Sequence, residues 1–123
     1  MNAFTGLKAL VVEDEGTIAL LIEDMLLELG CEVVASAARF AEARSVAETA
    51  VFDFAVLDIN LAGISALSIA HMLRERRIPF ILSTGYGASG IPPELNGNPV
   101  LGKPFTRAQF RQAIAAALSG QRM

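Results

Sequence analysis

The chain has 123 residues, 53% of them hydrophobic and 19% charged, with a net charge of −3. That length suits one domain with an ample core, and the acidic balance excludes an electrostatic grip on nucleic acid. No apolar stretch approaches the ~18 residues of a membrane span, and no basic region precedes a long apolar core at the N-terminus, so neither span nor leader is expected and the cytoplasm is the expected compartment.

Lys8 to Val12 reads as a short strand that ends in Glu13-Asp14-Glu15. From Thr17 to Leu29, apolar residues recur at helical spacing (Ile18, Leu21, Ile22, Met25, Leu26, Leu29), with Glu23, Asp24 and Glu28 opposite them. Gly30 is a natural stop. Cys31 to Ser36 is strand-like, and the lone Cys31 is expected as a small buried apolar side chain. Arg39 to Ala50 forms a weakly amphipathic helix. Phe54 to Leu57 is a buried strand that exits at Asp58. Ser65 can cap a helix carrying Leu67, Ile69, Ala70, Met72 and Leu73. The Arg74, Arg76 and Arg77 cluster is expected as the solvated C-terminus of that helix, favoured by the macrodipole.

Ile78 to Leu82 is a strand that exits at Ser83-Thr84-Gly85, with Pro79 tolerable at its start. Residues 86–97 hold three glycines and the adjacent Pro92 and Pro93, so the helix between the fourth and fifth strands is expected to be short, irregular or absent. Val100 and Leu101 form a very short strand leading into Lys103, and Thr106 caps a last helix through Phe110, Ile114 and Leu118. Five strands alternating with helices indicate an α/β fold with a parallel sheet covered on both faces. One domain is expected over residues 4–121, with no output domain joined to it.

In an open parallel sheet the strand exits share one edge, where such folds build their sites. Here that edge collects carboxylates, a hydroxyl and an ammonium. Each has a plain alternative. Asp14 or Glu15 could cap the next helix, as could Asp58. Asn60 could simply bend its loop or offer a main-chain carbonyl to a metal, Thr84 could be a turn hydroxyl and Lys103 a solvated lysine. Their recurrence at four exits favours a site for a divalent cation and a phosphoryl group.

These residues resemble the receiver domain of bacterial two-component response regulators over nearly the whole chain. Glu13 and Asp14 look like its acidic pair, Asp58 like its phosphoacceptor, Thr84 like its site hydroxyl, and Lys103 in Lys103-Pro104-Phe105 like its lysine. The resemblance implies a flavodoxin-like, doubly wound five-stranded sheet in the order 2-1-3-4-5. It also implies a cis Lys103–Pro104 bond. Mg²⁺ would be held by Asp14, Asp58 and the Asn60 carbonyl, with Glu13 acting through water. The implied donor is a sensor histidine kinase or a histidine phosphotransfer protein, and the chain itself would be a monomer or weak dimer. Catalysis would be limited to Mg²⁺-dependent self-phosphorylation and autodephosphorylation.

Pro79-Phe80-Ile81-Leu82-Ser83-Thr84-Gly85-Tyr86 is similar to the Pro-Phe-x-Phe-Ala-Thr-Gly-Tyr signature of the FAT GUY receivers, departing at Leu82 and Ser83. Val100 stands where receivers usually carry a switch aromatic, so Tyr86 becomes the alternative switch candidate, with loop packing as its plain reading. Residues 86–97 would then become ordered on phosphorylation and present a partner surface. Other readings of the same pattern are a flavin or nucleotide module, a haloacid-dehalogenase-like phosphatase, a phosphorelay shuttle or sink, and a receiver-like binding module that is never phosphorylated. Glu13-Asp14-Glu15 repels phosphate where the first of these needs a cradle. Gly16 and Asn60 stand where the second needs an aspartate two residues after its nucleophile.

Overall fold

Five apolar runs become five parallel strands in a computed structural model that describes residues 4–85, 91–95 and 97–120. Chain order is β1 (Lys8–Val12), α1 (Gly16–Glu28), β2 (Glu32–Ala37), α2 (Phe40–Thr49), β3 (Phe54–Asp58), a hairpin of β4 (Asn60–Leu61) and β5 (Ile64–Ser65), α3 (Leu67–Glu75), β6 (Phe80–Thr84), β7 (Val100–Gly102) and α4 (Arg107–Gly120). The main sheet runs β2-β1-β3-β6-β7. Counting only its own strands, that is the expected order 2-1-3-4-5.

Side chains alternate between the two faces of the sheet. Leu10, Val12, Ala55, Leu57, Phe80 and Leu82 pack with α2 and α3 on one face. Ala9, Val11, Phe54, Val56, Ile81 and Leu101 pack with α1 and α4 on the other. Every residue of β3 is buried, which is why it reads as an unbroken apolar run closed by a single carboxylate.

Local chemistry fixes the ends. Helix α1 stops in a Schellman turn: the Gly30 amide donates to the Leu27 carbonyl at 3.0 Å and the Cys31 amide to the Leu26 carbonyl at 3.0 Å. Gly30 has φ +86°, and a Cβ there would lie 3.1 Å from Thr5 Cα, so only glycine fits without rearrangement. Cys31 is buried as expected. Thr106 and Gln109 form a reciprocal capping box at α4, with bonds of 2.8 and 3.1 Å. Ser65 serves α3 from one position before the cap, its hydroxyl accepting from the Leu67 amide at 3.2 Å.

The β4–β5 hairpin was not foreseen. Its two central residues, Ala62 (φ 51°) and Gly63 (φ 90°), are both left-handed, as a tight primed turn requires. Asn60 Oδ1 accepts from the Gly63 amide at 2.7 Å and closes it. The arginine cluster does more than face solvent. Arg76 donates to the carbonyls of Ala47 and Ala50 at the end of α2 and lies over the Phe52 ring, and Arg74 donates to the Glu94 carbonyl at 3.0 Å. These arginines stay exposed, yet they tie neighbouring elements together as well as ending α3. Among the described residues between β6 and β7 the only helical element is a 3-10 turn at Pro93–Leu95, whose Leu95 is fully buried. No described helix is long and apolar enough to cross a membrane.

Candidate functional site

Glu13, Asp14, Asp58, Asn60, Thr84 and Lys103 meet at the C-terminal edge of the sheet. Glu13 follows β1, Asp58 ends β3, Thr84 ends β6 and Lys103 follows β7. Strand register brings them level: Val12 lies opposite Leu57, Asp58 opposite Ser83, and Thr84 opposite Gly102. Residues distant in sequence therefore share one edge because four parallel strands end together.

Lys103 is the hub. Its ammonium lies 2.8 Å from Glu13 Oε1 and 3.0 Å from Asp58 Oδ2. The Lys103 amide donates to the Thr84 carbonyl at 2.9 Å, and the Lys103–Pro104 peptide is cis, as the resemblance implied. Asp58 Oδ1 accepts from the Asn60 amide at 3.1 Å, a local turn that leaves the carboxylate facing the edge. Asp14 Oδ2 accepts from the Ala62 amide at 3.0 Å and so ties the β4–β5 hairpin to the site. No side chain caps α1, so neither Asp14 nor Glu15 serves in that role.

Three carboxylates share the edge with one ammonium, and burial sharpens the imbalance. Glu13 is 2% exposed and Asp58 5%. Burial pushes the Glu13 carboxyl up from 4.5 to about 7, against the opposing pull of Lys103; Asp58 adds to the rise. Burial pulls Lys103 down, but its bonds to Glu13 and Asp58 outweigh that and leave it raised. One oxygen from each of Glu13, Asp14 and Asp58 lies within 4.8 Å of the others. Hard oxygen donors in that number suit Mg²⁺, which keeps several waters and takes only a few protein ligands. A cavity of about 400 Å³ opens beside them, lined by Asp14, Asp58, Asn60, Thr84 and Lys103. A larger groove of about 890 Å³ lies at the opposite edge of the sheet beside Arg74, Arg77 and Asn98, away from every carboxylate named above.

Residues 9–115 match the response regulator receiver domain family. The chain belongs to that family. This receiver is 26% identical to the probable chemotaxis protein CheY of Rhizobium etli, over 94% of this chain and 95% of that one. It superposes on the solution structure of SdrG from Sphingomonas melonis Fr1 with a TM-score of 0.84 and 37% identity, covering 96% and 99% of the two chains. It also superposes on the receiver domain of the sensor histidine kinase PA1611 from Pseudomonas aeruginosa PAO1, with a TM-score of 0.79 and 28% identity over 94% and 99%. That structure has a magnesium ion coordinated in its active-site cleft.

One switch candidate, Val100, falls outside the receiver's site cluster. Val100 begins β7 and is 37% exposed, a short rigid side chain where an aromatic was expected to swing. Tyr86 lies outside the described residues. One polar residue at the edge, Ser83, received no role from sequence reasoning; its position beside Asp58 emerges only from strand register.

Proposed function

We propose that this receiver accepts a phosphoryl group on Asp58 from a phosphohistidine of a sensor kinase or phosphotransfer protein, in a Mg²⁺-dependent reaction. The observation that carries this reading is the meeting of Asp58 with Lys103 and two further carboxylates beside an open cleft. Asp14, Asp58 and the Asn60 main-chain carbonyl would hold the metal, and Glu13 would act through a water. When bound, Mg²⁺ offsets the repulsion between carboxylate and phosphoryl oxygens and aligns them.

The rest is chemistry of the chain. An Asp58 carboxylate oxygen attacks phosphorus, an O–P bond forms as the donor's N–P bond breaks, and the released imidazole nitrogen takes a proton. The Lys103 ammonium turns from Asp58 to a phosphoryl oxygen and stabilises it as a point charge. The Thr84 hydroxyl donates to another phosphoryl oxygen, and the segment after β6 carries the response to a partner. Water later attacks phosphorus, returning the carboxylate and inorganic phosphate. Incubation with Mg²⁺ and acetyl phosphate, followed by intact-mass measurement, should show the gain of one phosphoryl group. The same gain in Asp58→Ala would reject the assignment.

A further inference from the structure

Ser83 is fully buried, and its hydroxyl has no hydrogen-bond partner among the described residues. An unpaired buried hydroxyl is costly, so a residue that keeps one needs a reason. Strand register supplies it. Ser83 lies opposite Asp58 on one side and opposite Leu101 on the other. Opposed residues of parallel strands share a face, as do residues two apart along a strand. Val56, Ile81 and Leu101 fix that face as the one covered by α1 and α4. Lys103, two beyond Leu101, continues along it. The lysine starts past the end of β7, yet its ammonium reaches Asp58 on β3, and β6 lies between those strands. To join those strands its side chain has to span β6, where Ser83 is the residue level with Asp58.

We propose that Ser83 is a positioning residue for Lys103. An ammonium has three protons to donate. In the resting site Glu13 and Asp58 engage it. On the phosphoacceptor reading, on which this inference rests, Asp58 turns to the metal and the phosphorus and no longer serves the ammonium. The Ser83 hydroxyl then accepts one of its protons and holds Lys103 over the sheet, with the remaining donor aimed at the phosphoryl oxygen. The hydroxyl that is idle at rest finds its partner in the reacting state.

Acetyl phosphate with Mg²⁺ tests this by a double-mutant cycle on the phosphorylation rate. Ser83→Ala should slow phosphorylation about tenfold, the effect of one hydrogen bond to a charged group. With Lys103→Met in place, the same change should have no further effect. Ser83→Thr, which keeps the hydroxyl, should restore much of the rate. The urea midpoint of resting Ser83→Ala should equal or exceed that of the wild type, because an unpaired hydroxyl has been removed; a merely structural serine would do the reverse. Should Ser83→Ala disturb folding, Ser83→Cys, similar in size with a weak acceptor, reads the same coupling. A wild-type rate in Ser83→Ala, or equal slowing with and without Lys103, overturns the proposal while leaving Asp58 as acceptor. A wild-type protein that takes up no phosphoryl group overturns both.

Discussion

The charge imbalance at the sheet edge predicts that Glu13→Gln stabilises the metal-free protein, and does so only at neutral and higher pH. Glu13 is almost fully buried, and its carboxyl is raised from 4.5 to about 7, first by burial. Between those values the folded protein holds a proton that the unfolded chain releases. Stability then falls as pH rises through the window, because the folded state binds more protons than the unfolded one. At about 1.4 kcal/mol for each pH unit, the full loss is about 3 kcal/mol. The attraction of Lys103 already moderates that value. Glutamine has nearly the same shape and stays neutral, and its one carbonyl oxygen can still accept from Lys103, while the longer contact from the Glu15 amide, 3.3 Å from Glu13 Oε2, loses its acceptor as it does in the protonated acid. Urea unfolding in chelator should therefore find wild type and Glu13→Gln similar near pH 4.5, and the variant more stable by up to about 3 kcal/mol near pH 8. Added Mg²⁺ should then narrow the gap, since a cation stabilises the folded protein in proportion to how tightly it binds. If Glu13→Gln is the less stable protein at pH 8, or if the gap ignores pH, the account of a charge-strained resting site fails.

Asp14→Ala should weaken Mg²⁺ binding in calorimetry far more than Glu13→Gln if, as proposed, Asp14 binds the metal directly and Glu13 acts through water; equal small effects would sink that division of roles. Thr106→Ala removes half of the capping box at α4 and should lower stability by about 1 kcal/mol in the same urea assay, with phosphorylation of Asp58 unchanged.

The parts of this molecule visible in its sequence are those whose chemistry is periodic or stands at a boundary. Runs such as Phe54–Leu57 read as strands because both faces of a parallel sheet are covered, and a carboxylate after such a run marks the edge where sites form. The strand order came from family resemblance, since periodicity does not say which strands are neighbours. What stayed hidden depends on register and on reach across space. Ala62-Gly63 between Leu61 and Ile64 offered a hairpin signal, but alanine is an unusual first residue for that turn. Arg76 looked like a helix end because nothing local announces that its guanidinium meets the carbonyls ending α2.

Ser83 is the sharpest case. Beside Thr84 in sequence it is one more hydroxyl at a strand exit, and as a departure from the FAT GUY signature it is a single substituted position. In the sheet it occupies the row between Asp58 and the strand that leads to Lys103. The same geometry explains why the resting site carries both an excess of negative charge and an idle hydroxyl. Three carboxylates cluster there, and Lys103 bonds two of them, Glu13 and the proposed acceptor Asp58. On the proposed reading, a cation that relieves the carboxylates would also free the lysine, and Ser83 would keep the freed ammonium within reach of the phosphoryl group. Metal binding and readiness for phosphoryl transfer are then one electrostatic event, read through a single side chain.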